Sequence, residues 1–188
     1  MNAITLVKAA RLRTLPLSVS GIITGSAVAL REKPEAFRWD IFLLALLTTI
    51  LFQILSNFAN DYGDGVKGTD NEHRIGPARA LQSGAITREQ MKRVVLITAA
   101  LSILSAIALI IAAFGSEKLL YTLVFFVLVL LCVAAAIKYT VGRSAYGYRG
   151  LGDVFVFVFF GLVSVVGSQF LYTQQIDKAV WLPAIAIG

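Results

Sequence analysis

The chain has 188 residues, 57% of them hydrophobic and only 15% charged, with a net charge of +6 and a mean hydropathy of +0.78. A soluble domain carries about 25% charged residues, so the composition excludes an ordinary water-soluble globular protein. The charges are segregated between apolar runs, and the basicity therefore reads as loop orientation rather than as a nucleic-acid surface.

Charge-free runs cover Thr14–Leu30, Ile41–Asn60, Val94–Ser116, Leu119–Ile137 and Val154–Ile176. A helix needs about 20 apolar residues to cross roughly 30 Å of hydrocarbon, and all five runs meet or approach that length. The predicted fold is all-α, a polytopic transmembrane helical bundle with five complete spans. The short alternating strands of a membrane β-barrel are absent. The first run is the shortest, and Arg13 and Arg31 at its ends can snorkel to extend its reach. It is long for the core of a signal peptide and lacks a clear cleavage site. Trp39 and Trp181 stand near span ends, where interfacial aromatics belong. Cys132 is the single cysteine; it has no internal disulfide partner and is expected to pack as a small apolar residue. His73 is the single histidine, which excludes a His-rich transition-metal site in this chain.

Twelve of the seventeen Lys and Arg residues fall before the first run and in the loops between runs two and three and runs four and five. The positive-inside rule then places the N-terminus and these two loops in the cytoplasm. The closing stretch KAVWLPAIAIG begins a sixth apolar run that is too short to cross. The expectation is a single transmembrane domain over residues 1–188, truncated at its C-terminus; a tail lying along the interface is the alternative.

The stretch NFANDYGDGVKGTD, Asn57 to Asp70, closes the second run. On a helix at about 100° per residue, Asn57, Asn60, Asp61 and Asp64 share one face. Polar groups at membrane depth are costly and usually functional. Paired carboxylates with amide oxygens, and no thiol or imidazole beside them, suit a hard cation such as Mg2+. Lys67, Arg74, Arg79 and Arg88 follow, and bases beside a metal-binding acid pair suit a diphosphate–Mg2+ complex. Gly63, Gly65 and Gly68 are expected to loosen the helix and admit a ligand close to the backbone.

Together with RIGPARALQSGAIT and KYTVGRSAYGYRGLGDVFVFVFFG, this stretch resembles the UbiA-type intramembrane prenyltransferases. It is most similar to the branch that acts on 1,4-dihydroxy-2-naphthoate in menaquinone synthesis. Asp61 and Asp64 match the general spacing of the first aspartate-rich motif. The third acid, Asp70, comes later than in the general pattern, as in the naphthoate branch. The resemblance implies about nine helices around a cavity, two facing aspartate-rich loops and a multi-pass place in the bacterial inner (cytoplasmic) membrane. Only the first acidic motif is present here, so this chain alone is expected to be inactive.

What the resemblance implies for residues is as follows. Mg2+ is held by Asp61, Asp64 and Asp70, with Asn57 and Asn60 as direct or outer oxygen donors. Lys67, Arg74 and Arg79 neutralise the diphosphate of a polyprenyl donor, whose tail lies between helices facing the lipid bilayer. An aromatic acceptor sits near the 4–5 loop, with Lys138, Arg143 and Arg149 as candidates for its carboxylate and Asp153 for a hydroxyl. Tyr139 and Tyr146 pack against rings or the developing cation. The plainer alternative makes these bases orientation signals and these tyrosines interfacial anchors. Tyr148 is expected to be such an anchor, and Phe155, Phe157, Phe159 and Phe160 to be lipid-facing or packing residues. A transporter for Mg2+ or a phosphorylated solute is the other class; the five runs carry no ionisable group at mid-membrane, which disfavours it.

Overall fold

The computed structural model describes residues 2–69, 79–142 and 144–188, so the expectations placed on Asp70, Arg74 and Arg143 lie outside the described residues. Among the described residues all regular structure is helical. Five helical stretches among the described residues are long and apolar enough to cross a membrane: Ala3–Glu32, Trp39–Lys67, Arg88–Phe114, Leu119–Lys138 and Gly152–Thr173. A shorter apolar helix spans Lys178–Ile187. The chain is a multi-pass membrane bundle, as its composition required.

The first stretch is not one rod. Helix α1 (Ala3–Ala10) ends at Arg11, whose backbone is left-handed at φ 50 and ψ 58. A 3-10 turn over Leu12–Thr14 leads into α2 (Leu15–Glu32), the membrane-crossing part. Pro16 sits in the first turn of α2, where its missing N–H costs nothing.

Helix α3 (Trp39–Lys67) outruns its charge-free segment by two turns and carries Asp61 and Asp64 as helical residues. Gly63 and Gly65 do not loosen it. They let neighbours press onto it: a Cβ on Gly63 would stand 2.4 Å from Thr140 Oγ1, and one on Gly65 2.3 Å from Leu81 Cδ2. Gly68 ends the helix at φ 73, a left-handed C-cap that suits glycine.

Helix α4 (Arg88–Phe114) opens on a capping box. Thr87 accepts from the Gln90 N–H at 3.2 Å, and the Gln90 side chain accepts from the Thr87 N–H at 3.1 Å. It pairs lengthwise with α3 through Leu55, Phe58, Met91 and Val95 at one end and Ile41, Ala45 and Ile110 nearer the other. Between these clusters Thr48 and Ser105 share a buried hydrogen bond of 2.8 Å. Arg38 donates to the Ala112 carbonyl at 2.8 Å and locks the start of α3 to the end of α4.

Helix α5 (Leu119–Lys138) buries little of itself. Leu120 is 70% exposed and Leu123, Val127 and Leu131 about half. A water-soluble fold could not leave such a face bare, whereas acyl chains cover it at no cost.

The fifth span begins as α6 (Gly152–Val156), widens into a π-helical segment over Phe157–Val166 and closes as α7 (Gly167–Thr173). It packs against α2 through a GxxxG pair, the small-residue contact by which membrane helices approach closely. A Cβ on Gly25 would lie 2.2 Å from the Val165 carbonyl oxygen, and one on Gly21 2.2 Å from Ser164 Oγ. Ser26 bonds Ser168 at 3.1 Å and the Tyr172 hydroxyl at 3.0 Å at one end of this seam. Helix α8 (Trp181–Ile187) follows and buries Ala184 against Val165.

Gly25→Val drives a side chain into backbone that cannot move aside. It is expected to destabilise the bundle by at least about 1–3 kcal/mol, read as a lowered unfolding temperature of detergent-purified protein. Val127→Ala on the lipid-facing side of α5 should leave that temperature nearly unchanged.

Candidate active site

A cavity of about 410 Å3 lies inside the bundle between α2, α3, α5 and the fifth span. Most of its wall is apolar, from Leu17 and Phe52 to Phe125, Leu128 and Val163. Phe155, Phe159 and Phe160, expected to be lipid-facing or packing residues, line it too. The polar end is built by Gln53, Asn57, Asn60, Tyr139 and Tyr146. A pocket of this kind holds a largely apolar ligand and orients it by a few polar groups.

Each of those polar groups is held from behind. The Asn57 amide donates to the Ala10 carbonyl at 2.8 Å and to Thr14 Oγ1 at 3.0 Å, which leaves its oxygen as the end free to meet a ligand. Gln53 also donates to Thr14 Oγ1, at 3.0 Å. Thr140 donates to the Ala59 carbonyl at 3.0 Å and to the Asn60 side chain at 3.3 Å. Tyr146 stacks on Phe155 with ring centroids 3.8 Å apart and meets Tyr139 edge-on at 5.3 Å. Gly147 makes this clasp possible, since a Cβ there would lie 2.7 Å from the Tyr139 carbonyl oxygen and 2.9 Å from its ring.

The acids stand beside this end. Asp61 is 1% exposed; its two carboxylate oxygens accept the backbone N–H groups of Ala80 and Leu81 at 3.2 and 3.3 Å. Asp64 is 8% exposed and forms an ion pair with Arg79. It also accepts from the Tyr148 hydroxyl and, at 3.3 Å, from Thr69. Lys67 lies 3.7 Å over the Tyr148 ring, a cation–π contact. Tyr148, expected to be an interfacial anchor, thus also touches the acidic pair, while part of its ring stays exposed. Its role was hidden because the partner carboxylate is 84 residues away.

Arg79 donates to the Asn60 carbonyl at 3.1 Å as well. Burial and then the charge of Arg11 push its guanidinium below the ordinary value, against the opposing pull of Asp61 and Tyr148. Arg11, read from sequence only as an orientation signal, therefore adds positive charge near the acids. Its left-handed backbone at the break after α1 is what turns the chain there.

Lys138, Arg149 and Asp153 are exposed, and among the described residues none is hydrogen-bonded to Asp61 or Asp64. Among the described residues the acids at this end come as a pair; no group of three metal-ligating side chains is formed. The donor set still fits a hard divalent cation. Each Asp61 oxygen accepts one N–H here and has room for a second partner. Among the described residues the neighbouring donors are oxygen, with no thiol or imidazole.

The fold and site are those of a multi-pass membrane protein with two buried aspartates beside the polar end of an apolar cavity. The chain belongs to the UbiA prenyltransferase family, whose model matches residues 19–188. It is 49% identical over 179 residues to the 1,4-dihydroxy-2-naphthoate octaprenyltransferase of Haemophilus influenzae, covering 95% of this chain and 58% of that protein. The enzyme of the same name from Escherichia coli is 48% identical over 178 residues, covering 95% of this chain and 56% of the relative. That from Mycobacterium tuberculosis is 35% identical over 182 residues, covering 97% and 59%. The chain therefore spans less than two thirds of the length of these relatives. No solved structure matches it significantly.

Two outcomes test this geometry. Asp61→Ala leaves one buried and one half-buried N–H group without an acceptor and is expected to cost roughly 1–3 kcal/mol; tryptic cleavage after Arg79 should accelerate with it. Burial, and then Tyr139, push the Tyr146 phenol up to about 12, against about 10 in an unfolded chain. Between those values the folded protein keeps a proton that the unfolded chain has released, so stability falls as pH rises through that window. Differential scanning fluorimetry should show a shallower fall above pH ~10 in Tyr146→Phe.

Proposed function

We propose that this chain binds a polyprenyl diphosphate as its Mg2+ complex and takes part in transferring the prenyl group to 1,4-dihydroxy-2-naphthoate. The products are the reduced, quinol form of demethylmenaquinone, diphosphate and CO2. The observation that carries the proposal is the buried pair Asp61 and Asp64 beside the polar end of an apolar intramembrane cavity. The names of the relatives support it and point to an eight-isoprene donor. The proposed setting is the bacterial cytoplasmic membrane, with the acidic end facing the cytoplasm.

Asp61 and Asp64 would hold the ion, joined by Asp70 from outside the described residues, with Asn57 and Asn60 as amide oxygen donors. Bound there, Mg2+ neutralises diphosphate oxygens and lowers the barrier to their departure. Arg79 pairs with Asp64 and lies beside Asn60, where it can pass to a phosphate oxygen as the donor enters. Lys67 and Arg74 would add charge to the same leaving group. The isoprenoid tail occupies the apolar wall of the cavity. The allylic C–O bond breaks with its electrons going to diphosphate, and the Tyr139, Tyr146 and Phe155 rings face the cationic carbon. The acceptor carbon bearing the carboxylate forms the new C–C bond, and loss of CO2 restores the aromatic ring. Lys138, Arg143, Arg149 and Asp153 are the proposed contacts for the acceptor's carboxylate and hydroxyl. The apolar wall keeps water from the cation.

The test is binding of an unreactive thiolo analogue of a polyprenyl diphosphate to the chain in nanodiscs, with prenyl transfer measured in membranes that express it within a full-length enzyme. Binding should require Mg2+ and weaken at least about 100-fold in Asp64→Ala. Product from 4-hydroxybenzoate in preference to the naphthoate would overturn the acceptor, and undiminished binding by the variant would overturn the role of the acids.

A further inference from the structure

Helix α1 has two faces. Leu6, Ala9 and Ala10 pack on the α3–α4 end of the bundle with Leu55, Met91 and Val95. Ile4 and Val7 point the other way, 64% and 54% exposed, and Leu12 beyond the break is 51% exposed. Lys8 is exposed on the same outward face, Arg13 follows the break, and the chain has no acidic residue before Glu32. The membrane-crossing helix α2 starts at Leu15, so α1 is held within a few residues of the bilayer surface. A short helix with apolar side chains on its outer face and only basic charge around them matches one environment, the boundary between acyl chains and anionic headgroups.

We propose that α1 seats in the anionic headgroup layer on the side of the membrane where Asp61 and Asp64 lie, and that its seat sets the position of Asn57. The link is direct. The last residue of α1, Ala10, accepts from the Asn57 amide at 2.8 Å, and Thr14 at the end of the following turn accepts from both Asn57 and Gln53 at 3.0 Å. All three polar side chains line the central cavity. Lipid composition therefore acts on the polar end of the cavity through α1, without a ligand in the cavity.

The experiment uses the chain in nanodiscs of phosphatidylcholine with or without phosphatidylglycerol, and reads the helix and the cavity separately. The indole of Val7→Trp should be quenched by lipids brominated high on the acyl chain and protected from aqueous iodide. Ile4→Trp gives the same reading if the first variant expresses poorly. Hydrogen exchange over 55–61 should run at least about threefold faster without phosphatidylglycerol, and equally fast in K8E/R13E with it. An indole open to iodide and untouched by brominated lipid overturns the seating. Exchange over 55–61 that is indifferent to both lipid and charge reversal overturns the transmission to Asn57. Neither reading needs diphosphate or turnover, so both stand or fall apart from the proposed reaction.

Discussion

Two carboxylates buried at the end of a membrane-crossing helix are the constraint around which this molecule is arranged. Asp61 and Asp64 cannot be left bare at that depth, because an unpaired charge in low dielectric costs several kcal/mol. The chain satisfies them from two directions. The backbone at Ala80 and Leu81, with Arg79, closes from the 2–3 loop, and Tyr148 arrives from the 4–5 loop. The two loops are thus tied to α3 by the groups that also make the site. Their glycines follow from the same requirement: Gly63 and Gly65 admit Thr140 and Leu81 against the helix at distances that a Cβ would forbid.

An arginine that pairs with a carboxylate in one state can pair with a phosphate in another, while the carboxylate turns to a cation. Backbone N–H donors, by contrast, stay where the fold puts them. This divides the pair: Asp61 accepts backbone N–H groups, whereas Asp64 is met by the side chains of Arg79, Tyr148 and Thr69. The cavity behind them is shaped by the π-helical segment, whose Phe159, Phe160, Val163 and Ser164 all face it. A π segment widens the helix at the place where it borders a cavity, which is where such segments are commonly found.

Membership of the UbiA family and the likeness to the naphthoate octaprenyltransferases agree with what the residues imply on their own. Asp61 and Asp64 place hard oxygen donors, and Lys67 and Arg79 basic charge, beside an apolar cavity. The aromatic clasp of Tyr139, Tyr146 and Phe155 joins them at one end of the cavity.

The spans and the place of the acids at the end of α3 were legible in the amino-acid order, because each depends on neighbours within one or two helical turns. The helical face shared by Asn57, Asn60, Asp61 and Asp64 is of this kind. So is the start of α4, where Thr87 and Gln90 cap each other. Other features were decided only when distant segments met. The bond from Tyr148 to Asp64 joins residues 84 apart in the chain, and Phe155, Phe159 and Phe160 line a cavity that exists only once α2, α3 and α5 meet the fifth span. The break at Arg11 and the π segment leave no periodic signal, since hydropathy reports how apolar a stretch is and not how its backbone turns. Local composition determined what must be buried in lipid; which polar groups meet inside the bundle depended on long-range packing, where a single glycine sets whether two backbones can touch.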